Sequence, residues 1–209
     1  MPRSYRLGLR AAQIQATRER IVEAAIELYT ELGISGTTIR QVGLRADVAP
    51  GTLRHHFPSR EALDAAMVER LTAEAPLPDL TIFDGARSIE ERLERLILAT
   101  GTFFDQSARI YRMWLRERML TRVWTETGAA YGARWEELIQ AALGILTDDP
   151  DASATLRAIL DPPLFERMRS GTRTTGEVCA LITSVITPWF AARAADRHRA
   201  SERETVVDD

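Results

Sequence analysis

Histidines 55 and 56 stand side by side in a chain that holds one other histidine, His198. A structural metal site needs thiolates, imidazoles or carboxylates converging on a tetrahedron. Adjacent residues on a helix point about 100° apart, and no cysteine or acidic cluster lies near this pair to complete a set. No metal and no cofactor are therefore expected. The carboxylate pairs Glu90-Glu91 and Glu136-Glu137 fall on the polar sides of amphipathic segments and read as solvated surface. Cys179 is the single thiol, set among apolar neighbours; it cannot form an internal disulfide and fits a reducing compartment. The chain has no phosphate-cradling glycine loop, no Cys-x-x-Cys and no serine elbow. It is not expected to be an enzyme.

What remains is cationic chemistry. Residues 37–57, TTIRQVGLRADVAPGTLRHHF, hold two short helical patterns separated by a tight turn. Two helices crossing steeply demand a small residue at their closest approach, and Gly43 supplies it. Four residues on, the turn needs positive φ, which Asp47 can adopt at more cost than glycine. Val42, Ala46, Val48 and Leu53 fall inward, leaving Ala49, Pro50, Gly51, Thr52, Arg54 and His55 exposed on the second helix. Such a face is slender at its N-terminal end and fits a DNA major groove about 12 Å wide.

Charge is distributed to match. Residues 1–60 carry nine arginines against five acidic residues, a balance of +4, while the remainder of the chain stands at −7. A basic head on an acidic body points to an anionic partner at the N-terminus. All 27 basic residues are arginine, which codon usage explains as well as function does.

From about Arg18 to Met67 the chain resembles the TetR family of bacterial regulators. The resemblance rests on RERIVEAAIELYTELG, TTIR, VAPGTLRHHF and FPSREAL taken together. It implies that Arg40 makes a bidentate contact to guanine and that Pro50, Gly51 and Thr52 face base edges or thymine methyls. It implies phosphate contacts from Thr38, Arg54, His55, His56 and Arg60, and an arm of Arg3, Arg6 and Arg10 in the minor groove. Three residues depart from the family pattern. Arg54 replaces a usual phosphate-contacting tyrosine, Ala49 replaces a capping serine, and Asp47 replaces the turn glycine. The lost cap is worth about 1 kcal/mol.

The elements that must position these residues are helices. Ile21, Ala24, Ala25, Leu28 and Leu32 recur at helical spacing opposite Arg20, Glu23, Glu27 and Glu31, predicting a helix over about 13–32 stopped by Gly33. Thr37 or Thr38 caps the next, to Ala46; Pro50 opens a third; Ser59 caps a fourth, through about Thr72. The stretch 76-PLPDLTIFDG-85 reads as a linker. Beyond it lie a stripe from Ile89 to Phe104, a segment around Ile110–Leu115, a long helix from Trp124 to Ala142, a short one over Ser153–Leu160 halted at Pro162-Pro163, and a last over about Thr174–Ala195. The tail after Arg197 is expected to fray. The apolar run Val178–Phe190 falls short of the roughly 18 residues of a membrane span, and no secretory signal opens the chain. A soluble, cytoplasmic protein is expected.

The expected fold is all-α with about nine helices: a three-helix helix-turn-helix domain over 1–74 and a helical effector-binding and dimerisation bundle over 75–209. Phe103, Phe104, Tyr111, Trp114, Trp124, Tyr131 and Trp135, with Met113 and Met119, either pack as ordinary core or line the effector cavity that the resemblance implies. The resemblance also implies a homodimer through the last two helices, with Val178, Leu181, Ile182, Val185 and Trp189 as the seam, covering a near-palindromic DNA operator. The expected function is a homodimeric repressor released by a small molecule. The alternative is an all-α small-molecule-binding protein or enzyme with a vestigial DNA-binding head.

Overall fold

The computed structural model describes residues 3–116, 122–169 and 171–207, with side chains described over 8–108, 122–169 and 171–200. Among the described residues nine α-helices follow one another and no strand occurs: α1 (Arg3–Leu32), α2 (Ile39–Arg45), α3 (Pro50–His56), α4 (Arg60–Glu74), α5 (Ile89–Arg116), α6 (Arg122–Leu143), α7 (Pro150–Ile159), α8 (Pro162–Met168) and α9 (Thr175–Val207). The expected all-α architecture is the observed one.

The described residues form two compact units. The first takes the chain up to Ala75 together with residues between Ser107 and Ala129. Its core is built from the inward stripe of α1 (Ile21, Ala25, Leu28), Val42 of α2, Leu53 of α3, and Leu63, Met67 and Leu71 of α4. Gly33 ends α1 with φ 82°, its N–H bonded to the Tyr29 carbonyl at 3.0 Å; this is the left-handed cap that glycine adopts cheaply. Trp124, at the start of α6, is buried in the same core, which is why this short segment groups with the N-terminal helices.

The second unit takes the described residues over 76–106 and 130–207. Leu93, Leu96 and Ile97 of α5, Leu138, Ala142 and Leu143 of α6, Leu156 of α7 and Phe165 of α8 close on α9. On α9 the inward ridge is Val178, Ile182, Ile186, Phe190 and Ala194, one residue in four, as one helix face requires. Gly101 marks the tightest approach of α5 to α9. A Cβ there would stand 2.6 Å from Cys179 Sγ and 2.9 Å from Thr175 Cγ2.

Three elements differ from their sequence expectations. The segment around Ile110–Leu115, expected as another helix, is the end of α5, which runs unbroken to Arg116. Helix α1 begins at Arg3 rather than near residue 13, so the arm bearing Arg3, Arg6 and Arg10 is helical; the side chains of Arg3 and Arg6 lie outside the described residues. Helix α9 continues to Val207 instead of fraying after Arg197. Its stretch Thr175–Ala200, 26 residues, is long and apolar enough by length and composition to cross a membrane. The sequence count stopped at Phe190, while alanines at 191, 192, 194 and 195 prolong the apolar helix. Its inward ridge is spent on the second core.

Candidate nucleic-acid interface

The α2–turn–α3 pair is held by local chemistry. Thr38 caps α2 through a reciprocal box: its hydroxyl accepts from the Gln41 N–H at 3.2 Å, and the Gln41 side chain accepts from the Thr38 N–H at 2.7 Å. The T-x-x-Q spacing carries this signal in the sequence, and only its threonine was singled out there. Thr38 thus serves first as a cap. The turn has Asp47 at φ 52°, the one non-glycine residue with positive φ among those described, as the turn demands. The Val48 N–H closes the turn on the Gly43 carbonyl at 3.0 Å.

Gly43 differs from its expected role. A Cβ there would lie 3.5 Å from Leu53 Cδ1 and 3.5 Å from the Val48 carbonyl oxygen, ordinary contact distances. The crossing therefore has room for alanine. Ala49 precedes α3 with no side-chain cap bond, and Pro50 opens the helix. Leu53 and the following Phe57 are buried, whereas Ala49, Pro50, Gly51, Thr52, Arg54 and His55 are exposed and His56 is half-buried. One side of α3 packs; the other is free for a partner.

The arginines sort by what they touch. Arg45 on α2 is bound to Glu27 at 3.0 Å and to Glu31 at 2.9 Å, both on α1. Arg10, Arg18, Arg20, Arg40 and Arg54 make no ion pair with a described residue; Arg40 and Arg54 are exposed. In the second unit, by contrast, Arg134, Arg157, Arg169, Arg193 and Arg199 are all paired with carboxylates. On α2 and α3 the exposed arginines Arg40 and Arg54 are thus left without a carboxylate partner among the described residues. Arg18 was not singled out in the sequence; its guanidinium carbon lies 4.7 Å from the Phe57 ring centroid.

Arg60 is placed otherwise than as a free phosphate donor. Its guanidinium donates to the Thr37 carbonyl at 3.0 Å and to the Ile34 carbonyl, and sits 5.2 Å over the Tyr29 ring. It pins the α1–α2 loop. Beneath it the Tyr29 hydroxyl donates to buried Asp64 at 2.7 Å. Burial, then the Asp64 carboxylate, push the Tyr29 hydroxyl above its ordinary range, so it stays a donor.

Residues 21–67 match the family model for bacterial regulatory proteins of the tetR family. The chain is 32% identical over 100 residues to the HTH-type transcriptional regulator UidR of Escherichia coli K12, covering 46% of this chain and 49% of that one. It is 29% identical over 109 residues to the HTH-type transcriptional regulator RutR of the same strain, covering 51% of each. The chain thus spans about half the length of the curated relatives it matches. A bacterial regulatory protein in the tetR family from Rhodococcus RHA1 shares the fold, with a TM-score of 0.60, 20% identity, and coverage of 81% of this chain and 94% of that one. So does a putative transcriptional regulator from Saccharomonospora viridis in complex with choline, at TM-score 0.59 and 18% identity over 83% of this chain and 96% of that one. Over residues 21–67 the chain is thus similar to the DNA-binding segment of tetR-family regulators.

The aromatic set divides. Phe103, Phe104, Tyr131 and Trp135 come together: Phe103 lies 5.4 Å from Trp135 and 6.0 Å from Tyr131, and Phe104 lies 5.3 Å from Phe165 of α8, centroid to centroid. Phe165 was missed in the sequence because it follows a proline pair outside any long stripe. Burial holds the Tyr131 hydroxyl above its ordinary value. Trp124 does not join them; it sits in the first core. The side chains of Tyr111, Met113, Trp114 and Met119 lie outside the described residues. The expected seam on α9 also splits. Val178 and Ile182 are core residues, whereas Leu181 (39% exposed), Val185 (68%) and Trp189 (39%) form an outward ridge.

Proposed function

We propose that this protein is a regulator of the TetR family: a sequence-specific DNA-binding transcriptional regulator, acting in the cytoplasm as a homodimeric repressor that a small-molecule effector releases from its operator. The observation that carries the reading is the contrast on α3: Leu53 and Phe57 anchor it, while its other face, with Arg54 and neighbouring Arg40, is exposed and makes no ion pair with a described residue. Phosphates supply the counter-charges, and Arg40 supplies a bidentate reader. One copy covers one half-site, and two copies joined through α9 cover a near-palindrome.

The aromatic group around Phe103 and Trp135 is where we place the effector. Aromatic faces favour cations as well as apolar bodies, and the Saccharomonospora neighbour holds choline. Release requires the effector to bind the DNA-competent and released forms with unequal affinity.

The test is selection of duplexes from a randomised pool by the purified protein, followed by salt titration of wild type and Arg54→Ala. Loss of one phosphate contact lowers the log–log salt slope by about 0.9 per subunit. Indifference to the substitution would favour a vestigial head. A DNA affinity unchanged by every small molecule found to bind would remove the effector-released half of the reading.

A further inference from the structure

We infer that Arg18 and His56, both neighbours of the Phe57 ring, form a site for one DNA phosphate whose occupation takes up a proton. The inference rests on the DNA-binding reading and adds to it a residue from α1 and a dependence on pH.

Arg18 reaches the end of α3 from another helix, and the Phe57 ring braces it at 4.7 Å. The His56 ring lies 6.5 Å from the same phenyl ring and 5.6 Å from the His55 ring. The groups facing His56 are His55 on its own helix and Arg18 on α1, all cations or potential cations. Neither Arg18 nor His56 makes an ion pair with a described residue. Partial burial first, then His55 and Arg18, hold the His56 imidazole below its ordinary value, which favours its neutral form in the free protein.

Such a neighbourhood is unfavourable in isolation and complementary to an anion. A phosphodiester oxygen only accepts hydrogen bonds. Arg18 offers five guanidinium N–H groups at any pH, whereas an imidazole presents both of its nitrogens as donors only when protonated. Bringing a phosphate between them reverses the local potential and raises the imidazole's affinity for its proton. The sign follows: the bound state holds more protons than the free state, so DNA binding strengthens as pH falls from 8 towards 6. The ceiling is about tenfold per pH unit for each subunit that takes up one proton.

The experiment uses the full chain and a duplex it has selected from a random pool. Wild-type affinity is measured from pH 6 to 8 beside His56→Gln and His55→Gln, and against salt beside Arg18→Gln and Arg18→Lys. The expected result is a pH slope in wild type and His55→Gln that flattens in His56→Gln. Arg18→Gln should make the salt slope shallower by about 0.9 per subunit, and Arg18→Lys should restore it. Should His56→Gln not fold, the His56 titration followed by NMR in wild type must move upward on adding the duplex. A pH slope that survives in His56→Gln, a His56 titration indifferent to DNA, or an unchanged salt slope in Arg18→Gln overturns the inference. A wild-type protein that binds no duplex at any pH overturns the DNA reading itself.

Discussion

Asp149 and Arg193 form a two-pronged ion pair, with Arg193 Nε 2.5 Å from Oδ2 and Nη2 3.0 Å from Oδ1. The same carboxylate caps α7, accepting from the Asp151 and Ala152 N–H groups at 3.1 Å each. One buried acid therefore ties the start of α7 to α9. The Arg193 guanidinium, with the backbone N–H groups, holds the Asp149 carboxyl down at about 2, from an ordinary 3.8. A depressed carboxyl stabilises the fold above its unfolded value and loses that contribution as pH falls through the folded one. The window is thus about pH 4 down to pH 2. Asp149→Asn should cost about 2 kcal/mol in urea denaturation at pH 7 and almost nothing at pH 2. An equal cost at both pH values would show that the pair contributes no pH-dependent stability.

Arg54 of α3 and Arg60 of α4 are six residues apart in sequence and should behave as opposites. Arg60 is committed to the Ile34 and Thr37 carbonyls and to the Tyr29 ring, so Arg60→Ala should lower stability by about 1.5–3 kcal/mol, the range for hydrogen bonds to a charged group. Arg54 is exposed and makes no ion pair with a described residue, so Arg54→Ala should leave the thermal midpoint in place and reduce the salt dependence of DNA binding. Thermal melts and salt titrations of both variants check this. A stable Arg60→Ala protein would remove the pinning role.

Gly43 and Gly101 reverse their apparent importance. Gly43→Ala meets only ordinary contacts and replaces glycine inside a helix, so stability should hold or rise by up to about 1 kcal/mol. Gly101→Ala drives a methyl against Cys179, Thr175 and Phe165 and should cost about 1–3 kcal/mol, the usual range for overpacking. Denaturation midpoints decide both. A destabilised Gly43→Ala would restore the close crossing expected from sequence.

These pairs show what a sequence can and cannot tell. The helix-turn-helix was legible because its determinants are local: the cap at Thr38, positive φ at Asp47, and the inward spacing of Val42 and Leu53 all lie within twenty residues. Arg60 was misplaced because its partners are backbone carbonyls at 34 and 37, which have no signature in residue type. Gly101 passed unnoticed because its need arises from Cys179 and Thr175, more than seventy residues away. Trp124 looked like its aromatic neighbours in composition, yet its place at the start of α6 buries it in the other core. Periodicity told which α9 residues are apolar, but two adjacent apolar ridges on one helix cannot be sorted until the packing is known.

Those two ridges give the last prediction. Leu181, Val185 and Trp189 recur every four residues on the outward face of α9, and Val178, Ile182 and Ile186 recur with the same period facing the core. An aspartate in place of Val185, 68% exposed, meets water in a monomer but an apolar partner in a dimer, where an unpaired buried charge is strongly disfavoured. Val185→Asp should therefore yield a folded monomer, with full helical circular dichroism and half the sedimenting mass. DNA affinity should fall with it, since one half-site alone remains covered. Ile182→Asp instead places the charge in the core and should abolish cooperative folding at any concentration. A Val185→Asp protein that still sediments as a dimer would move the interface off α9, and one that unfolds like Ile182→Asp would mean that Val185 is no outward residue at all.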